Sequence, residues 1–572
     1  RRNLFISAVD LSQTTFRYHP LFADTLRKQL EATSADRVKQ LHHLAFQWLV
    51  SQGNMEESIK HGLAAEKFDE VAKLLNKYAD AAVWRNNQAY KVIEWCQPLP
   101  FEILNQYPRL MLDYGWAMLM GGARDQIVDY AEKIYPYIQD TNIESYKIEF
   151  DTLKTEGSIM QDDLNDALEK LNSIDYVGLR SASSYAVIRQ VQGYINRLDG
   201  NIPIAEEALL DAREVCRERD NLVLWLGSTG DLADAYRIAG RLNDAEAVFS
   251  EMLARIPNAQ YPIYGSIQYA MINHSWVYLR RNQLADALDL AQQGLIHTRS
   301  SSNTNVLVRF ALRALAYIRQ AQGETQQALD LIDEAITGLK LSKNQRLKEV
   351  FAAHEANLYL IQGRPEKAKR WAEKFEVDQP SYQTRYQHHE LKIIYGRWLL
   401  SQNPEKALAH LKTCEAEAAQ NNWGDSLLHS YILQALAHQA LSKMDSALGE
   451  VEKAVTYAST EGFIEPFVTA GRPMVELLRL LLQRGGNKEQ IGQIQAAFLP
   501  SNPVQPLLDP LTKRELEILR LMSAGLSNPE IADQLIIATG TVARHTNNIF
   551  GKLDVRNRTE ATLKARSLNL IG

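Results

Sequence analysis

One phrase returns along most of this chain at an interval close to 40 residues. After each short break at Gly or Asn, a small or aliphatic residue falls at Ile127, Ala167, Ala205, Ala245, Ala287, Ala328, Ala368, Ala407 and Ala447, 38 to 42 residues apart. Between about Asp36 and Gln483 the other residues keep helical periodicity, with scarcely any alternating β-branched runs. A fixed period over helix-turn-helix units specifies an α-solenoid, because no unit buries its apolar face alone and each must stack on the next. An irregular helical bundle has no reason to keep so even an interval.

One unit shows the chemistry of the repeat. Leu232, Ala233 and Tyr236, then Gly240, Ala245 and Phe249, then Pro257, combine small residues for close helix approach, bulky ones to fill the gaps, and Gly to close the turn. This order resembles a tetratricopeptide repeat. Other units match in part: Gly200 with Ala205 and Ala212, Tyr278 with Ala287, Gly323 with Ala328 and Ala335, and Tyr359 with Gly363 and Ala368. In that register the first helix of each pair lines a concave surface and places Tyr194, Asp234, Tyr269, Trp276, Arg313, Tyr317 and Asn357 near it. Their mix of aromatic and polar groups suits a small inducer or a protein partner. The same residues also fit ordinary packing between helices.

Both ends depart from the repeat. Asn3–Ile6 and Thr15–Tyr18 read as two short strands followed by a helix over Phe22–Leu30, too little to bury a core, so residues 1–35 are expected to end an upstream domain. After the array at 36–483, Gly485-Gly486-Asn487 and Pro500, Pro503, Pro506 and Pro510 mark 484–510 as a semi-rigid linker to a last domain at 511–572. The expected fold is all-α: a tetratricopeptide-like α-solenoid superhelix with a C-terminal helix-turn-helix domain and a small N-terminal α+β remnant.

Charge narrows the function. A net charge of -6 over 572 residues excludes a protein that coats nucleic acid along its length. The sign reverses at the end: from Thr541 onward Arg544, Lys552, Arg556, Arg558, Lys564 and Arg566 face only Asp554 and Glu560. That basic patch suits phosphates. No apolar run reaches membrane-spanning length and Arg1-Arg2-Asn3-Leu4 is no secretory signal, so a cytoplasmic protein without membrane contact is expected. Cys96, Cys216 and Cys414 have no metal-ligand or redox spacing and read as buried free thiols. His42-His43 and His388-His389 are neighbours whose side chains diverge on a helix, which favours solvated positions over metal ligands.

In the basic segment, Thr512 with Glu515 and Ser527 with Glu530 form two capping boxes that open successive helices, Gly525 ends the first, and Gly540 allows a tight turn before a third helix near Thr541. On the third, Val542, Ile549 and Leu553 line one side, with His545 or Thr546 between them, which turns Ala543, Arg544, Asn547 and Gly551 outward. A slim polar helix held against a second by a short turn fits a DNA major groove. Ala543, Arg544 and Asn547 are the candidate base contacts, since Arg bonds guanine bidentately and Asn bonds adenine; Ser527, Thr541, His545 and Lys552 are the candidate phosphate contacts. A mere helical cap on the solenoid needs none of these features together.

Leu511-Thr512-Lys513-Arg514-Glu515, Gly525-Leu526-Ser527-Asn528, Glu530-Ile531-Ala532, Thr541-Val542, His545 and Lys552-Leu553 through Arg558 resemble a LuxR-type DNA-binding domain. The chain departs from that family at Ala538, where Ser is usual and Thr539 is a substitute cap, and at Ala543, where Lys is usual. Joined to a long repeat array, the domain is similar to the large MalT-like ATP-dependent regulators, whose nucleotide-binding unit ends in a segment resembling Phe16–Asp24. The resemblance implies an inducer-responsive transcription activator that binds double-stranded promoter DNA, self-associates when activated, pairs two modules through a helix near Thr559–Leu568, and contacts RNA polymerase. It also implies ATP at an upstream domain. This chain contains no G-x-x-x-x-G-K-[ST] phosphate loop, so no cofactor and no catalysis are assigned to it. The competing reading is a tetratricopeptide-type protein-binding scaffold with an accessory DNA anchor.

Overall fold

In the computed structural model the interval of about 40 residues is a row of antiparallel helix pairs. The structure describes residues 6–8, 16–84, 88–121, 126–159, 171, 185–258, 260, 265–300, 305–340, 344–378, 384–498, 511, 513–523, 525–535, 537, 539–553, 555 and 557–567. Two compact units divide the chain, Arg1–Asn487 and Lys488–Gly572.

The first unit opens with strands β1 (Ile6–Ala8) and β2 (Phe16–Tyr18), antiparallel with Ile6 opposite Tyr18. Asn3, Leu4, Phe5 and Thr15 of the expected strands lie outside the described residues. Helices α1 (Pro20–Thr33), α2 (Ala35–Ser51), α3 (Met55–Ala64), α4 (Phe68–Trp84), α5 (Ala89–Cys96), α6 (Phe101–Leu104), α7 (Pro108–Gly121), α8 (Ile127–Gln139) and α9 (Glu144–Ile159) follow. Then come seven pairs among the described residues: α10 (Tyr185–Asp199) with α11 (Ile202–Glu218), α12 (Leu222–Ile238) with α13 (Leu242–Ala254), α14 (Gly265–Arg280) with α15 (Leu284–Ser300), α16 (Asn305–Ala321) with α17 (Thr325–Thr337), α18 (Gln345–Ile361) with α19 (Pro365–Ala372), α20 (Arg385–Gln402) with α21 (Pro404–Asn421), and α22 (Gly424–Ala440) with α23 (Met444–Glu461).

The recurring alanine is the fourth residue of the second helix in every one of these pairs, and each of Ala205, Ala245, Ala287, Ala328, Ala368, Ala407 and Ala447 is fully buried. A methyl there is all that fits between two helices in close contact. Ala167 lies outside the described residues. Gly240 turns its pair with φ +73°, and Asn282 and Ser442 adopt the same left-handed turn. Side-chain caps fix several helix starts: Asn221 accepts from Leu224 N at 3.1 Å, Asn344 from Leu347 N at 2.8 Å and Asn403 from Lys406 N at 3.0 Å. Helix α24 (Glu465–Thr469) and amphipathic α25 (Arg472–Gln483), which buries Met474, Leu477, Leu478 and Leu481, then cap the row.

The row closes on itself. Helix α10 packs on α20, α12 on α22, and α14 on α24, so the concave face turns a full circle and meets its own later repeats. At this seam the fully buried Trp423 donates its indole N–H to the Gly200 carbonyl at 2.7 Å and packs edge-on to Tyr386 and tilted against His389. Arg280 binds Asp425 at 2.7 and 3.0 Å and Glu465 at 2.7 Å, while Ile464 N donates to Arg280 O at 2.8 Å. Arg385 holds Asp199 at 2.6 Å. Backbones touch where Gly424 meets the turn at Ala239 and Gly240, too close for a Cβ on either glycine.

Several expectations change. The stretch read as linker begins with helix α26 (Lys488–Ala497), which buries Ile491 and Ile494; its spaced isoleucines outweigh the Gly-Gly break before it, and Pro500, Pro503, Pro506 and Pro510 lie outside the described residues. His388 and His389 are buried, not solvated, because α20 is covered on two sides: His388 Nε2 meets Val377 O at 2.8 Å and His389 Nδ1 meets Glu417 at 3.1 Å. The three cysteines are buried free thiols, with burial pushing Cys216 and Cys414 up to about 12, so they are inert.

Two outcomes follow from this packing. Gly424→Ala drives a methyl into the Ala239 carbonyl and Tyr457, and should lower array stability by about 1–3 kcal/mol in urea unfolding followed by tryptophan fluorescence, whereas Gly449→Ala, with open space around it, should not. His274 stacks on Phe249 and Tyr278 with neither ring nitrogen partnered, and burial lowers it to about 4. Its folded value lies below the unfolded one, so its contribution is complete above pH 6.5 and is lost as pH falls toward 4. Wild type should lose about 2 kcal/mol from this group between pH 7 and 5, and the loss should be smaller in His274→Phe by that amount.

Candidate functional site

The C-terminal module is a four-helix unit built on a small apolar core. Helices α27 (Lys513–Ser523), α28 (Asn528–Leu535), α29 (Thr539–Leu553) and α30 (Arg558–Ser567) bury Ile518, Leu519, Met522, Ile531, Val542, Ile549, Leu553, Ala561 and Ala565 against one another. Gly525 ends α27 with φ +92°. Ser527 opens α28, its backbone N–H and its hydroxyl each donating to Glu530 at 2.7 Å. Asn557 opens α30 by accepting from Glu560 N at 2.9 Å. The expected cap at Thr512, and also Ala538 and Arg556, lie outside the described residues. Gly540 makes no turn; it sits in the first turn of α29, which begins at Thr539 rather than near Thr541. Thr539 and Gly540 are exposed there, and nothing in the helix's first turn demands a left-handed residue.

The recognition face comes out as its periodicity requires. Val542, Thr546, Ile549 and Leu553 are buried, with Thr546 rather than His545 completing the inner stripe and bonding back to Val542 O at 2.9 Å. Arg544, Asn547 and Gly551 are exposed and Ala543 is half-buried. Neither Arg544 nor Asn547 has a side-chain hydrogen bond or ion pair to another described residue, so both heads remain available. Thr541 and His545 are half-buried beside them.

Two of the candidate phosphate contacts are already engaged. Lys552 donates to the buried Glu515 at 3.0 Å and thereby clamps α29 to α27, which makes it an internal brace rather than a free cation. Ser527 is exposed, but its hydroxyl is spent on Glu530, a carboxylate that would repel a phosphate. Sequence reasoning also missed two arginines that hold helix ends. Arg558 reaches the Met522 and Leu526 carbonyls, and Arg514 reaches Leu535 O at 3.0 Å. Basic residues two to three turns away from an apolar stripe look the same in sequence whether they face solvent or a helix terminus.

In the array, the seven groove residues gather in two groups on first helices. Asp234 binds Arg197 at 2.6 Å and Arg237 at 2.7 Å, and accepts from the Tyr269 hydroxyl at 2.8 Å, while Tyr194 lies beside Arg197. Burial alone would raise Asp234, yet Arg237 and Arg197 outweigh it and hold the carboxyl at about 2. In the second group Trp276 packs on Tyr317, with the Arg280 and Arg313 guanidiniums over its ring. Arg313 meets His354 Nε2 at 2.9 Å, Tyr317 meets His354 Nδ1 at 2.9 Å, and Asn357 donates to the Tyr317 hydroxyl at 2.8 Å. Arg197, Arg237, Arg280 and His354 were not anticipated. Each stands three or four residues from a chosen one on the same helix face, and that step was the signal available.

With this geometry in place, comparison with known proteins decides the family. Residues 159–484, more than half of the chain, match the family model of the MalT-like TPR region. The chain belongs to the MalT-like family. In this MalT-like chain, residues 509–565 match the model of bacterial regulatory proteins of the luxR family and residues 1–38 match the MalT winged helix domain. It is similar to the HTH-type transcriptional regulator MalT of Yersinia enterocolitica serotype O:8 / biotype 1B, with 23% identity over 99% of this chain and 66% of the relative. The same figures hold for the protein of that name from Yersinia pestis (strain Pestoides F). The chain therefore spans 66% of the length of these curated relatives. Among solved structures it is similar to a Rap protein complexed with competence and sporulation factor, at 12% identity and TM-score 0.49, covering 62% of this chain and 99% of that one. Among the described residues no helix is long and apolar enough to cross a membrane, and no His/Cys/Asp/Glu group could hold a metal.

The Glu515–Lys552 pair makes an asymmetric prediction for the MalT-like chain. Lys552→Met removes the cation bound to a carboxylate that is only 3% exposed and should destabilise the module by about 3 kcal/mol, whereas Glu515→Gln leaves a lysine that can still reach water and should cost less. Amide hydrogen exchange across residues 513–567 reads the difference.

Proposed function

We propose that this chain is the sensing and DNA-binding part of a cytoplasmic transcription regulator, in which the array receives an inducer or regulatory protein and the C-terminal module reads double-stranded promoter DNA. One observation carries the reading: helix α29 presents Arg544 and Asn547, exposed and engaged by no other described residue, directly opposite the stripe that seats it on α27 and α28. Ala543 beside them leaves room for a base edge or a thymine methyl group. Thr541 and His545 are assigned to phosphates, Ser527 contributes chiefly its place at the start of α28, and Lys552 positions α29. The six late cations Arg544, Lys552, Arg556, Arg558, Lys564 and Arg566, against Asp554 and Glu560, give the segment a sign that suits duplex DNA on an otherwise acidic chain.

No catalytic step and no cofactor belong to this reading. Activation by an inducer, self-association of two modules through α30, contact with RNA polymerase, and ATP at a domain upstream of these residues extend it by family resemblance alone. A single copy of this chain is expected to bind DNA weakly, since two linked modules gain avidity that one lacks.

Titration of fluorescent promoter duplex with wild type, Arg544→Ala and Asn547→Ala tests the assignment. Wild-type affinity should fall steeply with salt, and Arg544→Ala should weaken binding on the order of tenfold or more. Equal, salt-independent binding by all three proteins would leave the protein-binding scaffold as the better reading.

A further inference from the structure

The interior of the closed row contains more positive charge than it neutralises. Arg197 and Arg237 are answered by Asp231 and Asp234, and Arg280 by Asp425 and Glu465. Arg313 on α16 and Arg397 on α20 have no ion pair to any described carboxylate. Both are enclosed by protein, yet each keeps part of its surface open, as do Arg237, Arg280 and Glu390 on the same inner face. That combination describes side chains lining an internal space. Glu390 is also without an ion pair among the described residues, but one carboxylate cannot neutralise two guanidiniums, and burial pushes it toward the protonated form.

Hydrogen bonding has the same bias. Burial and the adjoining Arg313 keep His354 neutral. Arg313 can only donate, so His354 Nε2 is the acceptor and Nδ1 carries the proton, which it gives to the Tyr317 oxygen. Tyr317 therefore accepts from both His354 and Asn357, and its own O–H proton is unspent. Trp276 Nε1, Arg313 Nε and the Tyr386 hydroxyl are buried with no partner, as is the acceptor Asn357 Oδ1. Among these four, unmatched donors outnumber unmatched acceptors, and Arg313 is one of them.

We propose that this interior binds a small organic oxyanion, its carboxylate or phosphate group held by the Arg313 and Arg397 guanidiniums, with the unspent Tyr317 hydroxyl proton donated to it. The inference rests on the reading of the array as the sensing half, and supplies its ligand class. Two enclosed guanidiniums with no carboxylate in contact, only Glu390 and Glu465 acting from farther off, are unfavourable inside a protein, and an oxyanion in contact with both removes that imbalance. The ligand bridges α16 to α20, a helix that also packs on α10 at the seam, so its presence stiffens the closed form.

Thermal unfolding of the full chain at constant ionic strength tests this with pyrophosphate and citrate as probes and with potassium chloride and glucose as controls. At about 10 mM at least one anion should raise the midpoint by roughly 3 °C or more, with neither control doing so; pyrophosphate and citrate separate a phosphate ligand from a carboxylate one. Arg313→Met and Arg397→Met should each abolish the rise. Without ligand, Arg397→Met should melt no lower than wild type, because it removes an uncompensated charge, whereas Arg280→Met should melt lower, because it strands Asp425 and Glu465. No rise with either anion, an equal rise in both variants, or an Arg397→Met as unstable as Arg280→Met would overturn the proposal. Promoter-duplex affinity measured in parallel keeps the two readings apart: loss of the thermal response with intact DNA binding sinks only the oxyanion site, and a thermal response that leaves DNA binding unchanged sinks only its coupling to output.

Discussion

Everything distinctive about the array depends on its closure at the seam. Stacking alone would give an open spiral with a solvated concave face. Here Trp423 caps Gly200, Gly424 abuts the Ala239–Gly240 turn, and Arg280 spans to Asp425 and Glu465. Small residues permit the backbones to meet, an indole fills the space, and a bidentate arginine fixes the register. A buried pair of this kind adds little net stability by itself, but removing one partner is severe. It therefore acts more as a specification of one closure than as its driving force, which is the apolar and aromatic surface around Trp423.

Closure changes the chemistry of the inner face. Groups that would be surface polar residues in an open spiral become buried, and their protonation answers to neighbours rather than to water. Asp234 and Asp425 are held at about 2 because burial is outweighed by Arg237 and Arg197 in one case and by Arg280 and His429 in the other. His274, lacking any partner, is driven the opposite way from a surface histidine in contact with a carboxylate. The same enclosure that stabilises paired arginines leaves Arg313 and Arg397 with a desolvation cost that no contacting carboxylate offsets.

The C-terminal module solves a smaller problem with local means. Its helix starts are set by Ser527 and Asn557, its first stop by Gly525, and its face by the spacing of Val542, Thr546, Ile549 and Leu553. These signals act within a few residues, so reading them required no knowledge of the fold. The roles of Lys552, Arg514 and Arg558 were not legible, because a cation's partner there lies 21 to 37 residues away on another helix.

The sequence alone determined the repeat, the alanine that seats each second helix, the helix-turn-helix with Arg544 and Asn547 outward, and the choice of first helices as the concave lining. Periodicity and capping carry that information because both are local. Only the tertiary structure decided that the spiral closes after five pairs, which arginines inside it are answered and which are not, and that 488–497 is helix rather than tether. The physical reason is the same throughout: ion pairs such as Arg280–Asp425 join residues 145 positions apart, and no pattern within one repeat encodes where the superhelix will bring its ends together.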